Sequence, residues 1–115
     1  MSYIWSEVAA VPTANREAFL ATARRIADLR KRHGATAATI SWGVDIPDGQ
    51  FTSFLKAVQC KEDETVAFSW VVWPSRAAYD EARTRMADEF ATLIKDPPFD
   101  GKRLIFGSFE TIHEV

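Results

Sequence analysis

The most informative apolar run of the chain is Glu64–Trp73, which reads ETVAFSWVVW and carries β-branched and aromatic residues around one polar position, Ser69. A strand with one face in water alternates apolar and polar residues, and this run does not alternate. Both faces of the strand are therefore expected to be covered. Helices can cover one face, and a second copy of the chain is the simplest cover for the other.

Two segments carry apolar residues at the three- and four-residue spacing of an amphipathic helix. The first is expected to have Thr13 as its N-cap and to end at Gly34 in a left-handed C-cap. The second is expected to start after Ser75 as its N-cap and to stop at the Pro-Pro pair 97–98. The core-facing positions of the first helix are expected to be Phe19, Ala23, Ile26, Ala27 and the aliphatic stem of Arg30, and those of the second Tyr79, Ala82, Met86, Phe90 and Leu93.

Strands are predicted at residues 3–11, 37–46, 64–73 and 103–113. With the two helices, the order becomes strand, helix, strand, strand, helix, strand. This order predicts an α+β ferredoxin-like βαββαβ domain, with a four-stranded antiparallel sheet and both helices on one face. Residues 51–60 fit either a short helix or a strand. A face left without helices must be polar or paired, and these strands are not polar, so the pattern predicts a homodimer.

The composition bounds the function classes. A chain of 115 residues makes a single domain, and its net charge of −2 arises from interspersed acidic and basic residues. No basic stripe is present to neutralise a phosphate backbone, so nucleic-acid binding is not expected. The basic stretch at residues 24–33 is interpreted as a solvated helix face.

The absence of a secretion signal, of a membrane-spanning run and of a second cysteine favours a cytoplasmic protein without an intrachain disulfide. No membrane association is expected. Cys60 is interpreted as a half-buried structural thiol. His33 and His113 are far apart in sequence and have no metal ligand at suitable spacing, so no metal and no cofactor are predicted.

Strand parity suggests one candidate ligand site. Ser41 lies on the smaller, more polar side of the second strand, and Ser69 lies on the corresponding side of the apolar strand. Glu7 in the first strand can join them. Aromatic walls with a few polar groups are the ordinary form of a small-molecule site, so Glu7, Ser41 and Ser69 are predicted to bind a ligand. The alternative is that the small residues allow helices or a partner to approach closely.

Several motifs in consistent order resemble the YbaA-like family of uncharacterised proteins. They are KEDETVAFSW (61–70), WPS (73–75), PFDGKR (98–103), GSFE (107–110), IPDG (46–49) and KAVQ (56–59). The resemblance implies a dimeric α+β barrel. It carries over no catalytic residue, and Gly43 and Ser108 stand where that family commonly has other residues.

Two classes of function remain open at this point. The first is a homodimer that binds a small apolar or aromatic ligand. The second is a cofactor-independent oxygenase or isomerase, which requires a titratable group in the pocket, with Glu7, Glu110 and His113 as the strand-borne candidates. An RNA-associated or stress-related interaction protein is a weaker alternative.

Overall fold

The computed structural model describes all 115 residues. Four strands and two long helices alternate in the predicted order, with one short helix and two 3₁₀ turns between them. The strands are β1 (Tyr3–Pro12), β2 (Ala37–Trp42), β3 (Glu64–Trp73) and β4 (Ile105–Glu110), and the helices are α1 (Arg16–Arg32), α2 (Phe54–Ala57) and α3 (Arg76–Leu93). The 3₁₀ turns cover Thr13–Asn15 and Gly101–Arg103.

The strands form one antiparallel sheet in the order β2-β3-β1-β4. The two central strands are β1 and β3, which pair over their full ten-residue lengths from Tyr3 opposite Trp73 to Pro12 opposite Glu64. This order is that of a ferredoxin-like fold, so the predicted fold class is confirmed. The apolar run identified in the sequence is a central strand of the sheet.

Helices α1 and α3 pack on one face of the sheet, called here the inner face. The main core lies between them and joins Leu29 from α1 and Tyr79, Ala82 and Met86 from α3 to the sheet residues Tyr3, Val71 and Trp73. Trp73 and Leu29 are fully buried. The Trp73 ring meets the Tyr79 ring edge-on, with centroids 5.8 Å apart.

Three helix ends predicted from single residues can be checked. The Ser75 hydroxyl accepts a hydrogen bond from the Ala78 N–H at 3.1 Å and caps α3 as predicted. Gly34 has a φ of +111°, which confirms the left-handed position after α1. The prediction for Thr13 is wrong: α1 begins three residues later, and the Thr13 hydroxyl hydrogen-bonds the Thr65 hydroxyl at 2.7 Å.

The opposite face, called the open face, is partly covered by the chain itself. Within residues 51–60, left ambiguous by the sequence, Phe54–Ala57 form the one-turn helix α2, which the Ser53 hydroxyl caps. Val58, which follows α2, is fully buried against Val8 and Val66 of the sheet. The rest of the open face carries no helix.

An ion pair between Arg103 and Glu64 connects the 3₁₀ turn before β4 to the start of β3. Arg103 donates to both oxygens of the Glu64 carboxylate, each at 2.7 Å, and Glu64 also accepts from the Lys61 N–H. Both side chains are largely buried. The side-chain hydrogen bonds from Arg103 lower the pKa of Glu64 from 4.5 to about 2.

The Glu64 pair predicts a defined acid dependence of stability. Because the folded pKa of about 2 lies below the ordinary 4.5, the stabilisation is complete above pH 4.5 and is lost as pH falls towards 2. Glu64→Gln is expected to lower the free energy of unfolding by about 1.5–3 kcal/mol near neutral pH. Thermal unfolding followed by circular dichroism will then show that stability falls less in the variant than in the parent as the pH is lowered from 4.5 towards 2. The exposed Glu62→Gln serves as control, and equal slopes for parent and Glu64→Gln would refute the assignment.

Candidate functional site

A cavity of about 880 Å³ lies between the inner face of the sheet and helices α1 and α3. Its volume falls in the range of small-molecule sites. The walls are mainly apolar and aromatic. The aromatic residues among them come from both the sheet and the helices and from the loop before β4: Trp5, Phe19, Trp70, Trp73, Tyr79, Phe90, Phe99 and Phe106.

Trp5 forms the centre of an aromatic stack at one side of the cavity. Its ring stacks on the Tyr79 ring, with centroids 5.8 Å apart and planes 22° from parallel, and is tilted against the Phe106 ring at 5.6 Å. Phe106 is 65% exposed, so this side of the stack lies at the surface of the molecule. Burial raises the pKa of the Tyr79 phenol, and the nearby Arg83 opposes that effect. The phenol is therefore a neutral group at physiological pH.

The main charged feature of the cavity is an ion pair between Glu7 of β1 and Arg30 of α1. Arg30 Nη1 donates to Glu7 Oε1 at 2.9 Å, and Nη2 approaches Oε2 at 3.4 Å. The guanidinium also lies 5.5 Å from the centre of the Phe90 ring. Arg30 is buried, with 6% of its surface exposed. A charge in such a place requires a partner, and Glu7 supplies it.

The structure brings two of the three predicted ligand residues together. Glu7 and Ser69 are directly opposite each other in the β1–β3 pairing and both line the cavity. Ser41 lies opposite Phe68 in the β2–β3 pairing, which places it on the open face. The prediction that Ser41 and Ser69 share a face is therefore wrong. Ser69 instead has Ile40 as its β2 neighbour.

Sequence reasoning missed the Arg30 guanidinium. Arg30 was assigned to a solvated basic face with only its stem packed, whereas its charged group faces the cavity. The neighbours Lys31 and Arg32 are exposed, as that interpretation requires. The available signal was position: Arg30 continues the spacing of Phe19, Ala23 and Ile26, which marks the buried stripe of α1.

The other titratable candidates lie elsewhere. Glu110 and His113 are exposed at and beyond the end of β4 and do not line the cavity. Burial and the nearby Glu64 raise the pKa of the Cys60 thiol, which agrees with the interpretation of a structural thiol. No three His, Cys, Asp or Glu side chains come together in a group that could hold a metal ion.

The open face presents a second surface, a shallow apolar groove. It is lined by Ile4, Ser6, Val8, Phe68, Trp70, Ile105, Phe106, Gly107 and Phe109. Phe68 is half-buried between Phe54 and Trp70, with ring centroids 6.0 and 5.6 Å away. Trp70, Ile105 and Phe109 are 36%, 42% and 58% exposed. Several exposed apolar side chains on one face of a sheet are typical of an interaction surface.

The family described as "Protein of unknown function (DUF1428)" matches residues 2–101. The chain belongs to this family. It is also 39% identical over 114 residues to the uncharacterized protein YbaA of Escherichia coli strain K12, covering 97% of each chain. The family resemblance drawn from the sequence motifs is confirmed.

Two solved structures with the same fold come from an uncultured marine organism, and both are described as dimeric ferredoxin-like proteins. The first has a TM-score of 0.64 at 11% identity and covers 99% of this chain and 98% of its own. The second has a TM-score of 0.59 at 15% identity and covers 98% of this chain and 97% of its own. At these identities the likeness shows the fold alone. None of the helices combines the length and the apolar character of a membrane-spanning segment.

Proposed function

We propose that this protein is a homodimer that binds a small aromatic ligand in the inner-face cavity. The observation that carries the proposal is an apolar, aromatic-walled space of about 880 Å³ with one ion pair, Glu7–Arg30, on its wall. The space opens to the surface where Phe106 is 65% exposed, so a ligand can enter it. Aromatic walls with few polar groups suit a ligand of the same character.

The open face supports the homodimer. Trp70 of β3 and Ile105 and Phe109 of β4 are exposed there, although residues 51–60 already cover one end of the face. The two solved ferredoxin-like proteins described as dimers share this fold. The residues of strand β3 are apolar on both faces of the sheet, and the helices cover only the inner face. A second copy placed on the open face would cover the other side.

A cavity-filling variant tests the binding proposal. Ala27 lies on the cavity wall of α1, and a phenylalanine at this position places a ring in the space a ligand needs. We expect a thermal-shift screen of small aromatic compounds to find binders that raise the parent's unfolding midpoint, and Ala27→Phe to abolish these shifts.

Ala21 provides the matched control for that variant. It lies on the same helix, is exposed and does not line the cavity, so Ala21→Phe must keep the shifts of the parent. A parent that responds to none of the compounds would refute the binding proposal. Equal shifts in parent and Ala27→Phe would place the ligand elsewhere.

Catalysis in the same cavity is the second candidate, and the position of Glu7 favours it. Of the three strand-borne titratable candidates, Glu7 alone lines the cavity. A cofactor-independent oxygenase or isomerase needs a group that removes a proton from its substrate, and a carboxylate within reach of the ligand can do so. Consumption of a bound compound by the parent and its loss in Glu7→Gln would establish this activity. Unchanged recovery of the compound leaves binding as the function.

A further inference from the structure

The ligand's chemistry is constrained by which charged group of the cavity it can reach. The side chain of Glu7 is 23% exposed, whereas that of Arg30 is 8% exposed. Arg30 is enclosed by Glu7 on one side and the Phe90 ring on another. A ligand that enters the cavity therefore meets the carboxylate of the pair rather than the guanidinium.

An anionic ligand fits this arrangement poorly. An acid group that approaches the pair meets Glu7, its more exposed member, and is repelled by the like charge. Drawing the Arg30 guanidinium away from Glu7 instead would separate a buried ion pair, which is strongly unfavourable. The ion pair thus disfavours ligands whose recognition depends on a negative charge.

A cationic ligand fits poorly for a different reason. Two arginines, Arg30 and Arg83, line the cavity against one carboxylate, Glu7. The Arg83 guanidinium lies 5.5 Å from the centre of the Tyr79 ring, on the same aromatic wall that a ligand would contact. Arg83 is exposed, and at the ion pair itself the Arg30 guanidinium beside Glu7 repels a further positive charge.

A neutral hydrogen-bond donor remains. An ionised carboxylate is an acceptor only and has about four lone-pair sites, of which Arg30 occupies two. The Ser69 hydroxyl lies directly across the strand pairing from Glu7 and has no hydrogen-bond partner in the protein. A carboxylate with free lone pairs and an unpaired hydroxyl thus form one polar spot on an aromatic wall.

We propose that the cavity selects neutral aromatic compounds that carry a hydroxyl or ring N–H, with that donor hydrogen-bonded to Glu7 beside Ser69. This inference rests on the proposed function and defines the ligand class of the same site. Ligands with an N–H or O–H gain a charge-assisted hydrogen bond that aromatic compounds of the same shape without a donor cannot make. The ion pair then acts as a selectivity element, in which Arg30 fixes the position of the carboxylate.

Indole and benzofuran make a matched pair of probes, because they have the same ring size and differ by an N–H against an oxygen. Isothermal titration calorimetry of the parent should give about tenfold tighter binding for indole, the size of one charge-assisted hydrogen bond. Indoleacetate and tryptamine, which add a negative and a positive charge, should each bind more weakly than indole. Equal affinities for indole and benzofuran would overturn the inference.

The double variant Glu7→Leu with Arg30→Met removes both charges while keeping similar volumes, a replacement that is often neutral for stability. It should bind benzofuran at least as tightly as the parent does and lose the preference for indole. A preference retained in this variant would place the donor elsewhere and overturn the inference. If the variant does not fold, the comparison of indole with benzofuran in the parent decides alone.

The outcomes separate this inference from the proposed function. Binding of both probes to the parent with equal affinity leaves the aromatic cavity in place and refutes only the role of Glu7. Binding of neither probe to the parent, with no response in the wider screen of aromatic compounds, refutes both.

Discussion

Replacing Trp73 by alanine is expected to lower the free energy of unfolding by about 3–5 kcal/mol. Trp73 is the largest fully buried side chain of the protein and stands at the end of β3, where it joins the sheet to α3. Its removal leaves a cavity between Tyr3, Tyr79 and the surrounding core that the rigid sheet cannot close.

Trp73→Phe is the matched control for this prediction. The Trp73 indole N–H is buried without a hydrogen-bond partner, so phenylalanine keeps an aromatic ring and removes an unpaired donor. We expect it to cost well under half of the alanine effect. Urea denaturation at one fixed protein concentration measures both, and an alanine midpoint that barely moves would contradict the assignment of Trp73 to the core.

Replacing Trp70 by lysine is expected to convert the protein from a dimer into a monomer. Trp70 lies near the middle of the open face, is 36% exposed and meets the Phe68 ring edge-on. Buried tryptophans are common hot spots of protein interfaces, and the loss of one typically costs about 2 kcal/mol or more. The added charge, desolvated in an apolar interface, raises this cost further. The dissociation constant should therefore rise by at least about 30-fold.

Size-exclusion chromatography with light scattering measures the effect across a range of concentrations. The parent should give twice the 12.9 kDa mass of one chain at micromolar concentration, and Trp70→Lys should give the monomer. Ala21→Lys, on the exposed surface of α1, should remain a dimer. A parent that is monomeric throughout would refute the homodimer, and a dimeric Trp70→Lys would place the interface elsewhere.

The main elements of the fold could be predicted because their periodic patterns are long. The ten-residue run of β3 and the stripe of α3 are each consistent over several turns or pleats, and both are found within a few residues of their predicted bounds. Short elements were less accurate. The second strand ends at Trp42 rather than residue 46, and the last strand spans Ile105–Glu110 rather than residues 103–113.

The candidate site could be predicted only in part, since parity within a strand does not tell which sides of two strands coincide. Ser41 and Ser69 each lie on the small-residue side of their own strand. The register puts Ser41 beside Phe68, so that the small side of β2 lies on the same face as the large side of β3. A shift of one residue in pairing reverses this relation, and the sequence does not contain the register.

Arg30 shows a different limit. Its charge and basic neighbours favour a solvated position, whereas its place in the apolar stripe of α1 favours burial. The structure resolves the conflict through Glu7, which is 23 residues away in sequence and supplies the partner charge across the cavity. A charged residue at a core position is best read as a sign that an opposite charge lies nearby in the fold.

The central claim, that the inner-face cavity holds a small aromatic ligand, can be tested by nuclear Overhauser effects to methionine methyl groups. The chain has two methionines: Met86 lines the cavity, and Met1 is 77% exposed at the terminus and does not line it. With methyl-labelled methionine and bound indole, the account predicts effects from the ring protons of indole to the Met86 methyl group and none to Met1. Saturated binding with no effect at Met86 would contradict the account.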